Sequence, residues 1–503
     1  MIDENIIRVN SPQRVLLSGI SGNPSITGFA HQLSKQENIK FVVAIQAYGV
    51  GEKIDPDFEY IEKIIDHYKA VWADFEESLD LLPPIDEQLL KKMSFYENIF
   101  LKMCDRLVPF AEDRITYHAR KQMYLKQIRY WDFIIKSNNI NLFISHNIPH
   151  EMYDYIIYAL CKVHNIKTII FDDVNFLPNS VFLIEDIEKS CINLKHRYEE
   201  LLETDTLELT KLKEIFANFI EKKHRKIPES MAILFSKEIK ENLLLTKLKY
   251  LASRLGLFIV SRKKIIQIFD VNYWVNWGRI ISAKLSVKDI LKYYDSVASI
   301  PDLSKKYIYF AIHFQPECSS SPMGGAYVDQ LLIAQMISYY LPKDVFIYAK
   351  EHPLQRNRCR DANFYNELLK INNLRLIKKD FSTLNLIDNS IAVATMTGTA
   401  GWEGFLSGKP VLKFGNSFYQ YAPGVFLVKS SDDCRLALDA ILDGFQSNSE
   451  NIKRFLKACE MSSVNAWTLE EHKKLLSNNT LEENSSNLCE AVIRTINCNG
   501  LTL

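Results

Sequence analysis

The tetrapeptide Lys350-Glu-His-Pro353 places an ammonium, a carboxylate and an imidazole directly after the apolar run 345–349. That run has the composition of a buried β-strand. Pro353 fixes its own φ and disfavours a helical backbone at His352, so the imidazole is presented from a rigid, extended turn. Such an imidazole can donate to a phosphate oxygen, and the anion would raise its pKa. A solvated strand end, with Lys350 paired to Glu351 at the surface, accounts for the same residues.

A second strand end lies in the segment 391–414, where an apolar run stops at Thr395. A turn of small residues follows and leads into a helix that ends at Gly408. Glycine lets the backbone approach a bulky anion, and the free N–H groups and dipole of a first helical turn favour negative charge. The turn therefore predicts a phosphate site formed by Thr397, Gly398, Thr399, Ala400 and Gly401.

Two carboxylates are candidates for contacts with the rest of a ligand. Glu403 is predicted in the first turn of the same helix, where it can accept hydrogen bonds from ribose hydroxyls or simply complement the helix dipole. Glu317 follows the strand 307–312 and is held beside Pro316. It can stabilise positive charge at a reacting carbon, or it is a loop carboxylate in water.

The order of elements predicts how these residues are brought together. Strand-like and helix-like segments alternate over the first 175 residues and again from 301, which is typical of doubly wound parallel sheets. Ligands bind beyond the carboxyl ends of such strands, so His352 and the turn 397–401 should converge. We predict an α/β fold of two Rossmann-like domains facing a cleft, divided as 1–180, a helical insert or bridge at 181–300, 301–475, and a tail with a short helix at 476–503.

Composition excludes several classes of protein. Among 503 residues, Lys plus Arg equals Asp plus Glu at 61 each, so a nucleic-acid partner is not indicated. The nine cysteines form no CxxC pair, which favours reduced thiols and a cytoplasmic location. No signal peptide or membrane span is predicted. The basic, apolar stretch 246–269 fits a packed helix with a solvated face or a peripheral contact with the inner face of the cytoplasmic membrane.

These motifs resemble the capsular polysaccharide biosynthesis family, a group of bacterial GT-B enzymes that includes the Kdo transferases of capsule assembly. The resemblance is carried by His313-Phe-Gln-Pro-Glu317, Lys350-Glu-His-Pro353 and Thr397-Gly-Thr-Ala-Gly-Trp-Glu403. It implies that the second domain holds a nucleotide sugar, often a CMP-activated acid, with His352 near the phosphate. It also implies no cofactor and no catalytic metal, and we interpret Asp55-Pro-Asp57 as a capping sequence. The donor contacts are expected from Gln315, Lys350, Pro353, the turn 397–401 and Glu403.

The acceptor is expected across the cleft, in the first domain. Ser145-His-Asn-Ile-Pro-His-Glu151 ends a strand and opens a helix, which places His146, His150 and Glu151 at the correct edge of the sheet. A base that takes a proton from an acceptor hydroxyl must lie within hydrogen-bond reach of it. We predict His150 and Glu151 as catalytic candidates beside His352 and Glu317, although each also suits a helix cap.

The sequence therefore predicts a metal-independent glycosyltransferase that moves a sugar, such as Kdo, from a nucleotide donor to an oligosaccharide or glycolipid acceptor. A polyol-phosphate transferase of the teichoic-acid type keeps the fold but transfers phosphorus. A non-catalytic glycan- or nucleotide-binding component of a capsule assembly complex is the third interpretation.

Overall fold

The computed structural model describes residues 8–47, 58–75, 82–107, 115–174, 177, 179–203, 212, 287–355, 359–469 and 479–498. Three predictions therefore lie outside the described residues: the capping sequence at 55–57, the basic stretch 246–269, and most of the helical insert. Among the described residues, no helix is both long enough and apolar enough to cross a bilayer.

The described strands form two sheets, as the alternation of elements predicts. Their bounds are β1 (Gln13–Ile20), β2 (Ile39–Gln46), β3 (Ile61–Ile65), β4 (Leu142–Ser145), β5 (Lys167–Asp173), β6 (Ser180–Ile184), β7 (Tyr307–Ala311), β8 (Phe346–Lys350), β9 (Leu374–Ile377), β10 (Ala392–Thr395), β11 (Val411–Lys413), β12 (Val425–Leu427) and β13 (Val464–Asn465). The first sheet has the order β13-β6-β5-β4-β1-β2-β3 and the second β12-β11-β10-β7-β8-β9.

Helices cover the faces of both sheets. They span Pro24–Leu33, His67–Trp72, Glu87–Met103, Tyr117–Ser137, Tyr153–Val163, Ile192–Glu203, 287–297, Leu331–Tyr340, Ala362–Leu369, Thr383–Asn389, Thr399–Leu406, Ser431–Leu442, Ser449–Ser462 and Leu481–Asn497. Because helices shield each sheet, the central strands β4 and β10 are buried along their whole length, which explains their continuous apolar sequences. The mixed α/β class and the two Rossmann-like sheets are confirmed.

The second sheet is parallel throughout, and β7 lies at its centre between β10 and β8. In a parallel sheet all carboxyl ends meet at one edge, so the segments after β7, β8 and β10 are brought to the same place. These three segments carry the three motifs on which the predicted donor site depends.

The first sheet departs from prediction at both edges. The pattern at 57–80 predicts a helix, but Ile61–Ile65 forms β3 and pairs in parallel with β2. Ile61 and Ile65 are spaced as on a helical face, and pairing with β2 decides the conformation instead. At the other edge, β6 crosses the predicted boundary at 180 and pairs antiparallel with β5.

After the second sheet the chain returns to the first domain. Helix Ser449–Ser462 packs on helix Ile192–Glu203, and β13 then pairs with β6. Helix Leu481–Asn497 packs on helix Pro24–Leu33. It begins four residues before the start at 485 that the sequence predicts for a short helix. The chain therefore rejoins the first sheet at Val464–Asn465, before residue 475, where the sequence predicts the end of the second domain.

Candidate functional site

His352 lies at the end of β8 in a conformation that leaves one ring nitrogen as a donor. Its Nδ1 accepts a hydrogen bond from the Leu354 N–H at 3.2 Å, so the neutral ring carries its proton on Nε2. The ring is tilted against Phe314, with centroids 5.7 Å apart. Burial lowers the pKa of His352 to about 4, although the Glu351 carboxylate acts in the opposite direction. Without a ligand the imidazole is therefore neutral near pH 7. It becomes positively charged, as the sequence predicts, only when a bound anion raises its pKa.

The turn that carries His352 is fixed from below by Glu351. This carboxylate is fully buried and forms an ion pair with the guanidinium of Arg360. It also accepts from the Tyr365 hydroxyl at 2.8 Å and from the His352 N–H at 2.7 Å. The alternative of a surface pair between Lys350 and Glu351 is therefore wrong, because Glu351 is buried and already satisfied by other donors.

Lys350 points to the opposite side of β8, beneath the start of a helix. Its ammonium donates to the Phe381 carbonyl at 2.6 Å and to the Thr383 hydroxyl at 2.7 Å. Burial lowers the pKa of Lys350 to about 8, and the charges of Asp380 and Glu403 oppose that shift. Lys350 therefore acts on the site as a buried charge close to Glu403.

Glu403 lies one turn deeper in its helix than predicted. The helix begins at Thr399, and its first turn contains no acidic residue, so Glu403 does not complement the helix N-terminus as the sequence suggested. Burial raises the pKa of Glu403 to about 7, and Lys350 opposes this shift. In the described part of the chain the carboxylate has no hydrogen-bond donor, and it is available to a ligand.

The turn at 397–401 is organised by His313, which follows β7. Nε2 of His313 accepts hydrogen bonds from the N–H groups of Thr397 at 3.2 Å and Gly398 at 3.0 Å. The same nitrogen lies 2.9 Å from the Thr395 hydroxyl. Burial lowers the pKa of His313 to about 3, with a contribution from the charge of His352. A neutral His313 therefore stands between the His352 turn and the 397–401 turn.

This arrangement changes which amides can bind an anion. Thr397 and Gly398 donate to His313, and Gly401 donates to the Gly398 carbonyl at 3.1 Å. Within the described residues, the N–H groups of Thr399 and Ala400 have no acceptor. The predicted five-residue cradle thus reduces to two available amides at the N-terminus of helix Thr399–Leu406.

Gly398 is required by the same contact. A Cβ atom on Gly398 would lie 2.8 Å from Cε1 and 2.9 Å from Nε2 of His313, closer than a carbon normally approaches. The hydroxyl of Tyr419 donates to the Gly398 carbonyl at 2.6 Å and holds the turn from the other side. The backbone of the turn is therefore packed tightly on His313, which is one use of glycine at a binding site.

Gln315 and Glu317 occupy very different surroundings in the loop after β7. Gln315 is buried, and its side chain donates to the Val328 carbonyl at 2.6 Å and accepts from Arg360 at 3.2 Å. These contacts shape the loop, while a contact with the donor stays a prediction. Glu317 is exposed, and its carboxylate accepts from the Ser319 hydroxyl.

In the first domain, Asp154 organises the segment after β4. This fully buried carboxylate accepts from the N–H groups of His150 at 3.0 Å, Glu151 at 2.7 Å and Tyr155 at 2.7 Å. Glu151 keeps 27% of its side chain exposed, and burial together with the charge of Asp154 raises its pKa. The Nδ1 of His150 lies 2.5 Å from the Ile148 carbonyl, and burial lowers the pKa of His150 to about 3. Of the two predicted candidates, Glu151 has the more available side chain.

Two further histidines, His67 and His146, lie close enough to His150 for their charges to act on it. Nδ1 of His67, at the start of the helix after β3, lies 3.4 Å from the Glu151 carboxylate. His146 Nδ1 lies 3.1 Å from the hydroxyl of Ser18 in β1, and burial lowers the pKa of His146 to about 4. Sequence reasoning missed His67 because the residues of β3 were interpreted as helical. It left His313 unassigned, although His313 follows a predicted strand as His352 does.

Arg106 connects the two halves of the site. Its guanidinium donates to the His150 carbonyl in the first domain and to the Ser321 carbonyl in the second, the latter at 2.8 Å. Phe182 of β6 also stacks on Phe418 across the same junction, with ring centroids 5.4 Å apart. Arg106 therefore bridges the loop after β4 and the loop after β7. Among the described residues, no group of three or more His, Cys, Asp or Glu side chains could hold a metal ion.

One protein-family model matches part of the second domain. Residues 321–436 match the family model described as capsule polysaccharide biosynthesis protein, a segment that includes the motifs at 350–353 and 397–403. The resemblance to the capsular polysaccharide biosynthesis family is therefore confirmed over this segment. No curated protein sequence matches the chain significantly.

Solved structures with a similar fold include transferases and epimerases. The β-Kdo 2,7 transferase of Thermosulfurimonas dismutans KpsC is 11% identical, with a TM-score of 0.31, covering 78% of this chain and 96% of its own. The UDP-GlcNAc 2-epimerase of Methanocaldococcus jannaschii is 10% identical, with a TM-score of 0.26, covering 89% and 98%. A glycosyltransferase from Rickettsia africae is 12% identical, with a TM-score of 0.23, covering 93% and 100%. Because these TM-scores are low, we infer nothing about activity from them.

Proposed function

We propose that this protein is a glycosyltransferase that moves a sugar from a nucleotide donor to a bacterial surface polysaccharide or glycolipid. The observation that supports this most is that His352, the free amides of Thr399 and Ala400, and the Glu403 carboxylate follow β8 and β10, the two strands that flank β7 in one parallel sheet. Two groups that favour a phosphate and one that favours a hydroxyl form the combination a nucleotide sugar needs.

On the donor side, His352 and the helix N-terminus bind the phosphate that leaves. Nε2–H of the neutral His352 donates to a phosphate oxygen, and the phosphate raises the pKa of the imidazole toward the charged form. Charge that builds on the leaving group is then stabilised by an imidazolium and by two preorganised amides. The positive charge comes from these groups and from the buried Lys350, so we propose a reaction that needs no metal.

Glu403 and Glu317 contact the remainder of the donor in this proposal. Glu403 accepts hydrogen bonds from ribose hydroxyls, and the nearby ammonium of Lys350 favours its ionised form when the ligand binds. Glu317, exposed on the loop after β7, stabilises positive charge at the reacting carbon. Gln315 and Pro353 hold the backbone of the two loops.

On the acceptor side, Glu151 is the base that we propose for the acceptor hydroxyl. Its raised pKa makes it a stronger base than an ordinary carboxylate, and it is partly exposed. His150 is a weaker candidate because its Nδ1 is engaged with the Ile148 carbonyl and Arg106 disfavours its charged form. We therefore assign His150 to positioning Glu151.

The family resemblance suggests the class of donor and the location. We propose a CMP-activated acidic sugar such as CMP-Kdo, and an acceptor at the inner face of the cytoplasmic membrane. The test is incubation with CMP-Kdo and a Kdo-terminated glycolipid, followed by mass spectrometry of the glycolipid. One added Kdo residue and release of CMP are expected. A parallel incubation replaces CMP-Kdo with a CDP-activated polyol, and an added polyol phosphate with release of CMP would favour the teichoic-acid type of transfer. No turnover with either donor together with no nucleotide binding would contradict the proposal.

A further inference from the structure

A pocket at the junction of the two domains lies outside the residues discussed so far. It is lined in the first domain by the aromatic residues Phe95, Tyr96, Tyr155 and Tyr158, and in the second by the loop that contains Pro322. We propose that this pocket is a saccharide subsite, which holds a sugar residue of the acceptor glycan one or two units away from the reacting hydroxyl. The inference rests on the proposed function, because it assigns the ligand to an acceptor.

The position of the pocket follows from helix Tyr153–Val163. This helix begins two residues after the proposed base Glu151, and the same helix supplies Tyr155, Tyr158 and Lys162 to the pocket. At a rise of about 1.5 Å per residue, Tyr158 lies about 7–8 Å along the axis from the start of the helix. A sugar in the pocket is therefore close enough to belong to the same glycan as the hydroxyl that Glu151 would activate.

The chemistry of the lining suits a sugar. The aromatic rings present flat, apolar faces. Asp186 and Glu188 also line the pocket, and burial together with the negative charges of both raises the pKa of Tyr96. We propose that these carboxylates accept hydrogen bonds from sugar hydroxyls. Lys162 is held at 2.9 Å from Asp186, so the positive charge next to this carboxylate is fixed. Apolar faces combined with a few fixed polar groups are typical of a specific small-ligand site rather than of an apolar docking surface.

Several of these polar groups are already held in place. The Tyr158 hydroxyl accepts from the Ile187 N–H at 3.1 Å, and the Asn416 amide oxygen accepts from Lys429 at 2.6 Å. A preorganised lining loses little conformational entropy when a ligand binds.

Size defines how a sugar would sit. The cavity volume is about 80 Å³, whereas about 10–15 Å³ by the same measure holds one water molecule, so the space is that of a few waters. The cavity therefore accepts one edge or one substituent of a pyranose, and the rest of the ring lies at the mouth. Phe95, whose side chain is 65% exposed, lies at that mouth and offers a face for the ring.

The subsite also needs both domains. Pro322 and Gly325 come from the loop whose Ser321 carbonyl accepts from Arg106, and Asn416 follows β11. The loop that completes the pocket is thus the loop that carries Glu317 and joins the donor side. An acceptor chain bound here is positioned by contacts with both halves of the enzyme.

The test uses the full chain on a printed array of bacterial surface polysaccharides, with no nucleotide donor present. We expect the wild type to retain a subset of the glycans, and Phe95→Ala to bind them at least about tenfold more weakly, because an exposed aromatic contact is removed. Ile99→Trp, which fills the pocket, should give the same loss. Tyr117→Ala removes a 68%-exposed aromatic that does not line the pocket, and it should bind as the wild type does.

Equal binding by the wild type and Phe95→Ala, or no binding of any glycan by the wild type, would overturn the subsite. Nucleotide binding is measured on the same preparations by a thermal shift with CMP, CDP, UDP and GDP. Glycan binding without nucleotide binding would leave the subsite standing and contradict the proposed transfer. Nucleotide binding without glycan binding would contradict the subsite and leave the proposed transfer standing.

Discussion

Replacement of His313 by alanine tests how the phosphate turn is built. The substitution removes the acceptor for the N–H groups of Thr397 and Gly398 and a partner of the Thr395 hydroxyl. The Thr397 N–H loses its acceptor, whereas the Gly398 N–H keeps the Thr395 hydroxyl at 3.2 Å. Leaving one buried donor unsatisfied implies a loss of about 1–3 kcal/mol of unfolding free energy. Domains are typically stable by about 5–15 kcal/mol, so most of the variant should still fold.

The expected functional result is a fall in nucleotide affinity of tenfold or more, because the turn no longer holds Thr399 and Ala400 in place. Urea denaturation gives the stability and calorimetric titration with CMP gives the affinity. His164→Ala is the matched control, since His164 pairs with Asp132 at 2.6 Å in the first domain, away from the turn. Unchanged CMP affinity in a His313→Ala protein that has lost stability would show that His313 serves folding alone and would refute the reasoning.

Three further substitutions follow from the same geometry. Glu403→Gln should stabilise the ligand-free protein at pH 8 by up to about 3 kcal/mol and leave its stability unchanged near pH 4. The reason is that a Glu403 pKa raised from 4.5 to about 7 destabilises the fold as pH rises through that window. Thermal melts that show an equal gain at both pH values would contradict this prediction. Glu151→Gln should abolish transfer while CMP affinity is retained, and a turnover near the wild-type value would exclude Glu151 as the base. Gly398→Ala should weaken CMP binding at least about tenfold through its overlap with His313, whereas Gly408→Ala, which meets no atom within 4 Å, should change stability but not CMP affinity.

The sequence is sufficient to bring the three segments of the predicted donor site to one edge of the second sheet. Continuous apolar runs define β7, β8 and β10, and the rule that ligands bind at carboxyl ends brings their following segments together. The sequence does not predict which polar groups form hydrogen bonds or ion pairs within the protein and are therefore not available to a ligand. His313 accepts hydrogen bonds from two amides of the predicted phosphate turn, and Arg360 forms an ion pair with Glu351. Such pairings join residues far apart in the chain and have no periodic signal.

The acceptor side was harder to predict for a different reason. His67 follows β3, an edge strand whose isoleucine spacing also fits a helix, so its approach to Glu151 depends on sheet pairing. Arg106 lies 215 residues before Ser321 in the chain, and no local pattern marks their contact. The edge strand β13 and its neighbour β6 are likewise set by tertiary pairing, which local propensity does not determine.

The most direct measurement is calorimetric titration of the wild type and His352→Ala with CMP, CDP, UDP and GDP near pH 6.5, in two buffers of different ionisation enthalpy. A neutral His352 with a pKa of about 4 should take up part of a proton when a phosphate binds, so the apparent enthalpy should depend on the buffer. We predict that at least one nucleotide binds the wild type with proton uptake, and that His352→Ala binds it at least about tenfold more weakly without that uptake. Equal affinity and no difference in proton uptake between the two proteins would contradict the assignment of His352 to the donor phosphate.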